Sequence, residues 1–517
     1  LLNFYRLKMP DYCPFYGLGM TQLKTSVRDH EVRMSAHNHV HPDEIRTFFS
    51  RAMSDMFRAE VPQYGTLTEL VGDVNADTLA NDPLLRDRLV RNGELERLGI
   101  ERHGAIRLGT ADELFTIRRV FAVMGMYPVG YYDLSAAGVP VHSTAFRPID
   151  DSALRRNPFR VFTSQLRLEL IEDAALRAEA ARILAARRIF TPRALELVGV
   201  FEAEGGLTRS QAEQFVDEAL ETFRWHGNST VSLDTYNKLH DAHRLIADAV
   251  SFKGPHINHL TPRTLDIDAA QAAMPRYGIT PKAVIEGPPR RECAILLRQT
   301  SFKALEEAIL FEDSTGGRTI GTHTARFGEI EQRGVALTPK GRKLYDNLLA
   351  AVRREVQVGA AGSNAHDYDT ELAERFAAFP DDWATLRSRG LAFFRYSATP
   401  AGIDAASRHR LPATIEALVE HGFLRFDPII YEDFLPVSAA GIFQSNLGTD
   451  QQCNYGEQSN RAVFEQGLGA KVYDELELYA RAESASLEQS LSRLESPHIA
   501  FKASAQWRAI VQSPANG

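Results

Sequence analysis

Cysteine is nearly missing from this chain: Cys13, Cys293 and Cys453 lie far apart, and no pair has CxxC spacing. That excludes a disulfide framework and a zinc-thiolate centre, and it fits a reducing cytoplasm. No run of about 18 apolar residues occurs, so no membrane span is expected. Positive charge is not in excess either. The net charge of -8 argues against nucleic acid or an anionic membrane as the main partner. A small anionic substrate would then need local arginines. Residues 1–33, which open on Leu1, show neither clear periodicity nor the apolar core of a signal peptide. Met34, followed by SAHNHVHPDEIRTFF, reads as a natural beginning. Residues 1–33 are therefore expected to be a leader segment, peripheral to the fold. His37, His39 and His41 read as a solvated lead-in to a helix rather than as a metal site.

What is present is an ordinary globular composition over 517 residues, 44% hydrophobic and 24% charged. That length allows roughly two to four domain-sized units and a sizeable core. HPDEIRTFFSRAMSDMFRAEV has the spacing of an amphipathic helix, with Pro42 and Asp43 at its start. After a second helical region, HGAIRLGT alternates, DELFTIRRVFAVMG is helical, and YPVGYYDLS and VPVHSTAFRPI read as strands. These close a first β-rich half over residues 34–162. Residues 163–250, rich in Ala, Leu, Glu and Arg, read as a helical insertion, with an N-cap at Thr208. A second β-rich half follows over 251–345, and 346–517 reads as a mixed, mainly helical region. The expected class is α+β.

Three segments concentrate polar residues where strands should be. In HINHLTPRTLDID, Pro262 and β-branched Thr264 and Ile267 favour an extended chain, in which His256 and His259 face opposite ways. At most one of them can serve a given site, the bland outcome being one core and one surface histidine. In HGAIRLGT, His103, Ala105 and Arg107 share a face. The Cα atoms of His103 and Arg107 would lie about 13 Å apart at ~3.3 Å per residue. A metal-bound imidazole beside a guanidinium suits a small carboxylate ligand. In THTARFGEIEQRG, an extended reading puts His323, Ala325, Phe327, Glu329 and Glu331 on one face. Glu329 sits deeper in the apolar pattern, whereas Glu331 precedes an apparent turn, so Glu329 is favoured. One histidine from each half plus a glutamate makes a facial triad of the non-haem Fe(II) oxygenase type. Sixteen histidines offer many such trios, so spacing alone leaves the choice open.

The segments ERHGAIRLGT, MGMYPVGYYDLS, GVPVHSTAFRPID, NPFRVFTS, HINHLTPRTLDID, EGPPRRE, LLRQTSFKALEE, HTARFGEIEQRG and DFLPVSAAGIFQSNLG resemble the 2-oxoadipate dioxygenase/decarboxylase family, also called 2-hydroxyglutarate synthase. The resemblance runs from about residue 40 to the C-terminus. It implies a vicinal-oxygen-chelate-like half-open β-barrel around a metal, built from the two β-rich halves. It also implies His103, His259 and Glu329 as metal ligands, Arg107 as a substrate-binding residue and Val437 as a residue lining the substrate. Ser143 and Arg147 in HSTAFRP are further candidates to touch substrate. The implied reaction converts 2-oxoadipate and O2 to D-2-hydroxyglutarate and CO2 with Fe(II), a step of lysine breakdown. A metal-dependent isomerase, lyase or hydrolase, or a non-catalytic dicarboxylate-binding protein, would be the rival outcomes. Oligomeric state is not readable from the sequence.

Overall fold

The computed structural model describes residues 39–135, 138–302, 306–312, 317–324, 326–356, 364–434 and 454–494. The architecture below belongs to the unit Val40–Gly517. Among the described residues, no helix is long and apolar enough to cross a membrane.

Nine strands build the central part: β1 (Arg102–Leu108), β2 (Tyr127–Asp133), β3 (Val141–Arg147), β4 (Arg160–Leu166), β5 (Leu260–Thr264), β6 (Leu297–Ser301), β7 (Glu307–Glu312), β8 (Arg318–His323) and β9 (Glu329–Arg333). Seven of them join in one curled half-barrel sheet of order β2-β3-β4-β1-β5-β9-β6, while β7 and β8 pair with each other as a separate hairpin. The two β-rich halves share a winding. In each, the first strand lies parallel to the last (β1 with β4, β5 with β9), and the last is antiparallel to another strand of its half (β4 with β3, β9 with β6). The halves meet edge to edge through the antiparallel β1–β5 pair. The expected α+β half-barrel is thus observed.

Period-2 alternation divides the sheet into two faces. Ile106, Leu108, Phe146, Val161, Leu260 and Ile330 point to one side. They share a core with Phe49 and Met53 of α1 (Pro42–Glu60), Leu67 of α2 (Pro62–Asn81), Ile117 of α3 (Ala111–Val123) and Phe215 of α4 (Arg209–Glu221). The other face carries Ala105, Ala145 and Phe162. It packs on Leu245 and Val250 of α5 (Arg244–Val250), on Phe311 and on Phe434. The start of α1 is as expected, with Pro42 in the first turn and the His41 side chain accepting from the Asp43 N–H. Thr208 caps α4 with a reciprocal box to Gln211.

Three local readings change. β4 extends to Leu166, so the helical stretch begins after it. Residues 256–259 are irregular backbone ahead of β5 rather than strand. The alternation through 323–331 is broken, because β8 ends at His323 and β9 starts at Glu329 in a different sheet. Gly328 permits the break: a Cβ there would lie 1.8 Å from the Phe302 ring. Beyond 346 the structure adds an antiparallel pair of β10 (Phe394–Ala398) and β11 (Leu424–Pro428), packed on α6 (Glu475–Arg493) in a third core, which the sequence pattern did not suggest.

Candidate active site and metal centre

Strand register assembles the site. His103 on β1 pairs with Thr261 on β5, and Glu331 on β9 lies beside Arg263, which sets Glu329 next to Thr261. Glu329 in turn pairs with Ser301 on β6. These four positions form one row across the hollow face. His259 enters from the segment just before β5, whose Asn258 N–H donates to the Ala105 carbonyl at 3.0 Å. Gly104 makes that approach possible. A Cβ there would fall 2.5 Å from Ile257 Cδ1 and 3.1 Å from the His259 carbonyl oxygen.

His103, His259 and Glu329 each offer a ligand-type atom, all within 4.8 Å of one another, and all three are buried. Glu329 Oε2 lies 3.1 Å from His103 Nε2 and 3.6 Å from His259 Nε2. Thr261 Oγ1 and Gln299 Nε2 donate to the same oxygen at 2.9 and 3.1 Å. Glu329 Oε1 and both ring nitrogens of His259 make no hydrogen bond. Buried polar atoms are seldom left so. A divalent cation between the three side chains would satisfy Glu329 Oε1 and one ring nitrogen of His259, and two imidazoles with one carboxylate suit iron and its neighbours. Burial holds the His259 imidazole down at about 4, so its lone pair is not lost to a proton near neutrality. Phe434 and Phe327 wall the two rings, with centroids 4.9 Å from His103 and 4.7 Å from His259.

A charged layer lies beneath. His103 Nδ1 is 2.9 Å from Glu331 Oε2, and Arg333 grips the Glu331 carboxylate through two 2.8 Å hydrogen bonds. Burial opposes ionisation of Glu331, yet Arg333 and His103 bring it down to about 2. Burial also opposes protonation of His103, but Glu331 and Glu329 outweigh it and raise its pKa. Glu331 is therefore not the exposed strand-end residue that its neighbouring turn suggested. It orients His103, as carboxylates commonly orient metal-ligating histidines. Arg333, Arg160, Arg263 and Arg97 surround Glu101, and Arg160 and Arg97 continue to Glu432. Removing one partner from such a buried set costs about 3–5 kcal/mol.

The remaining expected residues divide. Arg107 lies on the hollow face with its Nη1 2.5 Å from Asp248 Oδ2. Ser143 pairs in register with Ser164, and Ser164 with Arg107, so the three form a row; Ser143 and Ser164 share a hydrogen bond at 2.8 Å. Arg147 has its guanidinium clamped on Asp433 by contacts of 2.6 and 3.0 Å. Val437 lies outside the described residues. His256 is buried beside Asp248 rather than exposed, so neither histidine of HINHLTPR is at the surface. Sequence reading missed Glu331, Asp248 and Lys282. The Lys282 N–H donates to the Ser301 carbonyl at 2.9 Å, which brings this residue alongside the Glu329 row. Burial lowers its amine to about 7, with Glu286 and Glu329 opposing.

A curled α+β sheet enclosing a buried two-histidine, one-carboxylate set defines a half-barrel protein with the donors for one divalent cation. The chain belongs to the 2-oxoadipate dioxygenase/decarboxylase family, whose sequence model matches residues 49–446. It is 60% identical to the 2-oxoadipate dioxygenase/decarboxylase of Pseudomonas putida over 88% of this chain and 98% of the relative. The Escherichia coli K12 protein of that name is 59% identical over 87% and 98%. The crystal structure of hydroxyglutarate synthase from Pseudomonas putida in complex with 2-oxoadipate superposes with a TM-score of 0.82. That match has 57% identity and covers 89% of this chain and 99% of the other.

Proposed function

We propose that this chain is an Fe(II)-dependent enzyme that converts 2-oxoadipate and O2 to D-2-hydroxyglutarate and CO2, acting in the cytoplasm in lysine breakdown. The observation that carries the reading is the convergence of His103, His259 and Glu329, with unpaired donor atoms on the last two. Names of 40–60% identical relatives supply the substrate class.

His103, His259 and Glu329 would hold the iron on one side, leaving positions for a chelating 2-oxo acid. When bound, Fe(II) would supply the redox chemistry that couples O2 to loss of CO2 and hydroxylation of the same molecule. The protein's own residues set the geometry. Glu331 fixes the His103 ring through Nδ1, so that Nε2 faces the hollow. Thr261 and Gln299 pin one oxygen of Glu329 and leave Oε1 as a donor. Phe327 and Phe434 keep the rings dry, which strengthens each polar contact. Arg107, on the same face of β1 as His103, would take a substrate carboxylate, with Ser143 farther along its row. Such positioning converts an encounter into a near-unimolecular step.

The test is an oxygen-electrode trace with Fe(II)-loaded protein and 2-oxoadipate, with product analysis. O2 uptake matching CO2 release and 2-hydroxyglutarate formation supports the reading. Turnover under argon would favour an isomerase, lyase or hydrolase, and binding without product would favour a non-catalytic protein.

A further inference from the structure

Beside Arg107 lies a second buried group of metal-ligand type: Asp248, His256 and His323, with atoms within 4.8 Å of one another. Its chemistry differs from that of the first. Asp248 Oδ1 lies 2.9 Å from His323 Nε2 and 3.3 Å from His256 Nε2, while Oδ2 lies 2.5 Å from Arg107 Nη1. His323 Nδ1 lies 2.8 Å from the Tyr236 hydroxyl, and Asn258 Nδ2 lies 3.3 Å from His256 Nε2. One proton assignment runs through the outer chain: Tyr236 O–H donates to His323 Nδ1, and His323 Nε2–H donates to Asp248. Both Asp248 oxygens are thus engaged, whereas Glu329 Oε1 has no partner. A cation at Asp248 would also face a guanidinium on the same carboxylate, which Coulomb repulsion opposes. This group is a hydrogen-bonded support, not a second metal centre.

We propose that Asp248 is a positioning residue that holds the Arg107 guanidinium for the substrate carboxylate, with His323 and His256 holding Asp248. The proposal rests on the reading of Arg107 as substrate-binding. Arg107 and Asp248 are 7% and 5% exposed, so the cation is compensated where water is scarce. A long, flexible side chain loses rotamer freedom on binding, and an arginine already tied by one nitrogen loses less. The charge of Asp248 is secure. Burial opposes it, but Arg107 and then His256 hold the carboxyl well below its usual range.

The supports come from distant parts of the chain. Asp248 lies on α5, Tyr236 in the helix Leu233–Ala242, and His323 ends β8. The stretch between β4 and β5, and the hairpin between β6 and β9, therefore each send a residue to the flank of Arg107. That assigns both excursions from the sheet a function at the site.

A double-mutant cycle on the full-length Fe(II)-loaded protein tests this. Asp248→Asn is expected to raise KM for 2-oxoadipate about tenfold, with a smaller fall in kcat and unchanged iron content. In an Arg107→Ala background the same substitution should add nothing. Tyr236→Phe, which removes only the outermost hydroxyl, should give a smaller KM rise that also vanishes in that background; it carries the test should Asp248→Asn fail to fold. Wild-type KM in Asp248→Asn, or full additivity with an impaired Arg107→Ala, would overturn the role of Asp248 alone. An Arg107→Ala enzyme with unaltered KM would overturn the reading of Arg107 and this proposal with it.

Discussion

Glu331→Gln is expected to weaken both metal binding and folding, each through a different partner of the carboxylate. The wild-type carboxylate serves two partners, His103 Nδ1 at 2.9 Å and Arg333 through two 2.8 Å hydrogen bonds. Glutamine keeps the shape and one acceptor oxygen but removes the charge. A hydrogen bond to a charged group is worth about 1.5–3 kcal/mol against roughly 1 for a neutral one. The orientation of His103 should therefore weaken by about 0.5–2 kcal/mol, or roughly 2- to 30-fold in metal affinity, overlapping the ~10–100-fold range for such supporting carboxylates. Arg333 would be left with Glu101 at 3.6 Å and two backbone carbonyls. Weakening this buried pair while Arg333 keeps those partners should cost about 1–3 kcal/mol of stability. Competition of the protein with a chromophoric chelator for Fe(II) measures the first effect, and urea unfolding of the metal-free protein measures the second. Loss of stability with unchanged metal affinity would refute the coupling of Glu331 to His103. Wild-type values of both would refute the whole arrangement.

Two further outcomes follow from local geometry. Gly104→Ala would drive a methyl to 2.5 Å from Ile257 Cδ1 and 3.1 Å from the His259 carbonyl. It should cost about 1–3 kcal/mol in urea and displace His259 enough to lower Fe(II) affinity severalfold; unchanged affinity would show that His259 does not depend on this approach. On α6, burial raises the Glu483 carboxyl to about 8 although it accepts the Phe394 N–H at 2.8 Å. Its folded-state value lies above the unfolded one, so the folded chain keeps the proton longer and stability falls as pH rises from about 4.5 to about 8. Glu483→Gln mimics the protonated form and should remove that fall, a gain of up to about 4 kcal/mol at pH 8. Parallel stability–pH curves for the two proteins would contradict it.

The sequence carried some of this site openly and hid the rest. His103 and Arg107 were legible because a short alternating run bounded by glycines fixes which residues share a face. His256 and His259 serve different groups, beside Asp248 and Glu329, as opposite-facing residues should, though an irregular segment rather than a strand carries them. Family resemblance, not spacing, selected His259 from the two. Glu331 was obscured because a charged residue next to Gln332, Arg333 and Gly334 normally marks a solvated turn; its burial depends on Arg333, Arg160 and Glu101 meeting from three strands or their flanks. Asp248 was hidden for a related reason. Within LRLELIEDAALRAEAARIL and the helices after it, acidic residues read as a solvent face, and only tertiary contact reveals one turned onto Arg107. Charge burial is a long-range property, and local pattern does not encode it.

His103, His259 and Glu329 are proposed to share one divalent cation. Elemental analysis of the full-length protein loaded with Fe(II) under argon tests it directly, alongside His103→Ala, His259→Ala and Glu329→Ala, with circular dichroism to show that each variant is folded. One iron per chain in the parent protein, and near-complete loss in every folded variant, is the predicted result. Full iron retention in any one of the three would contradict the account.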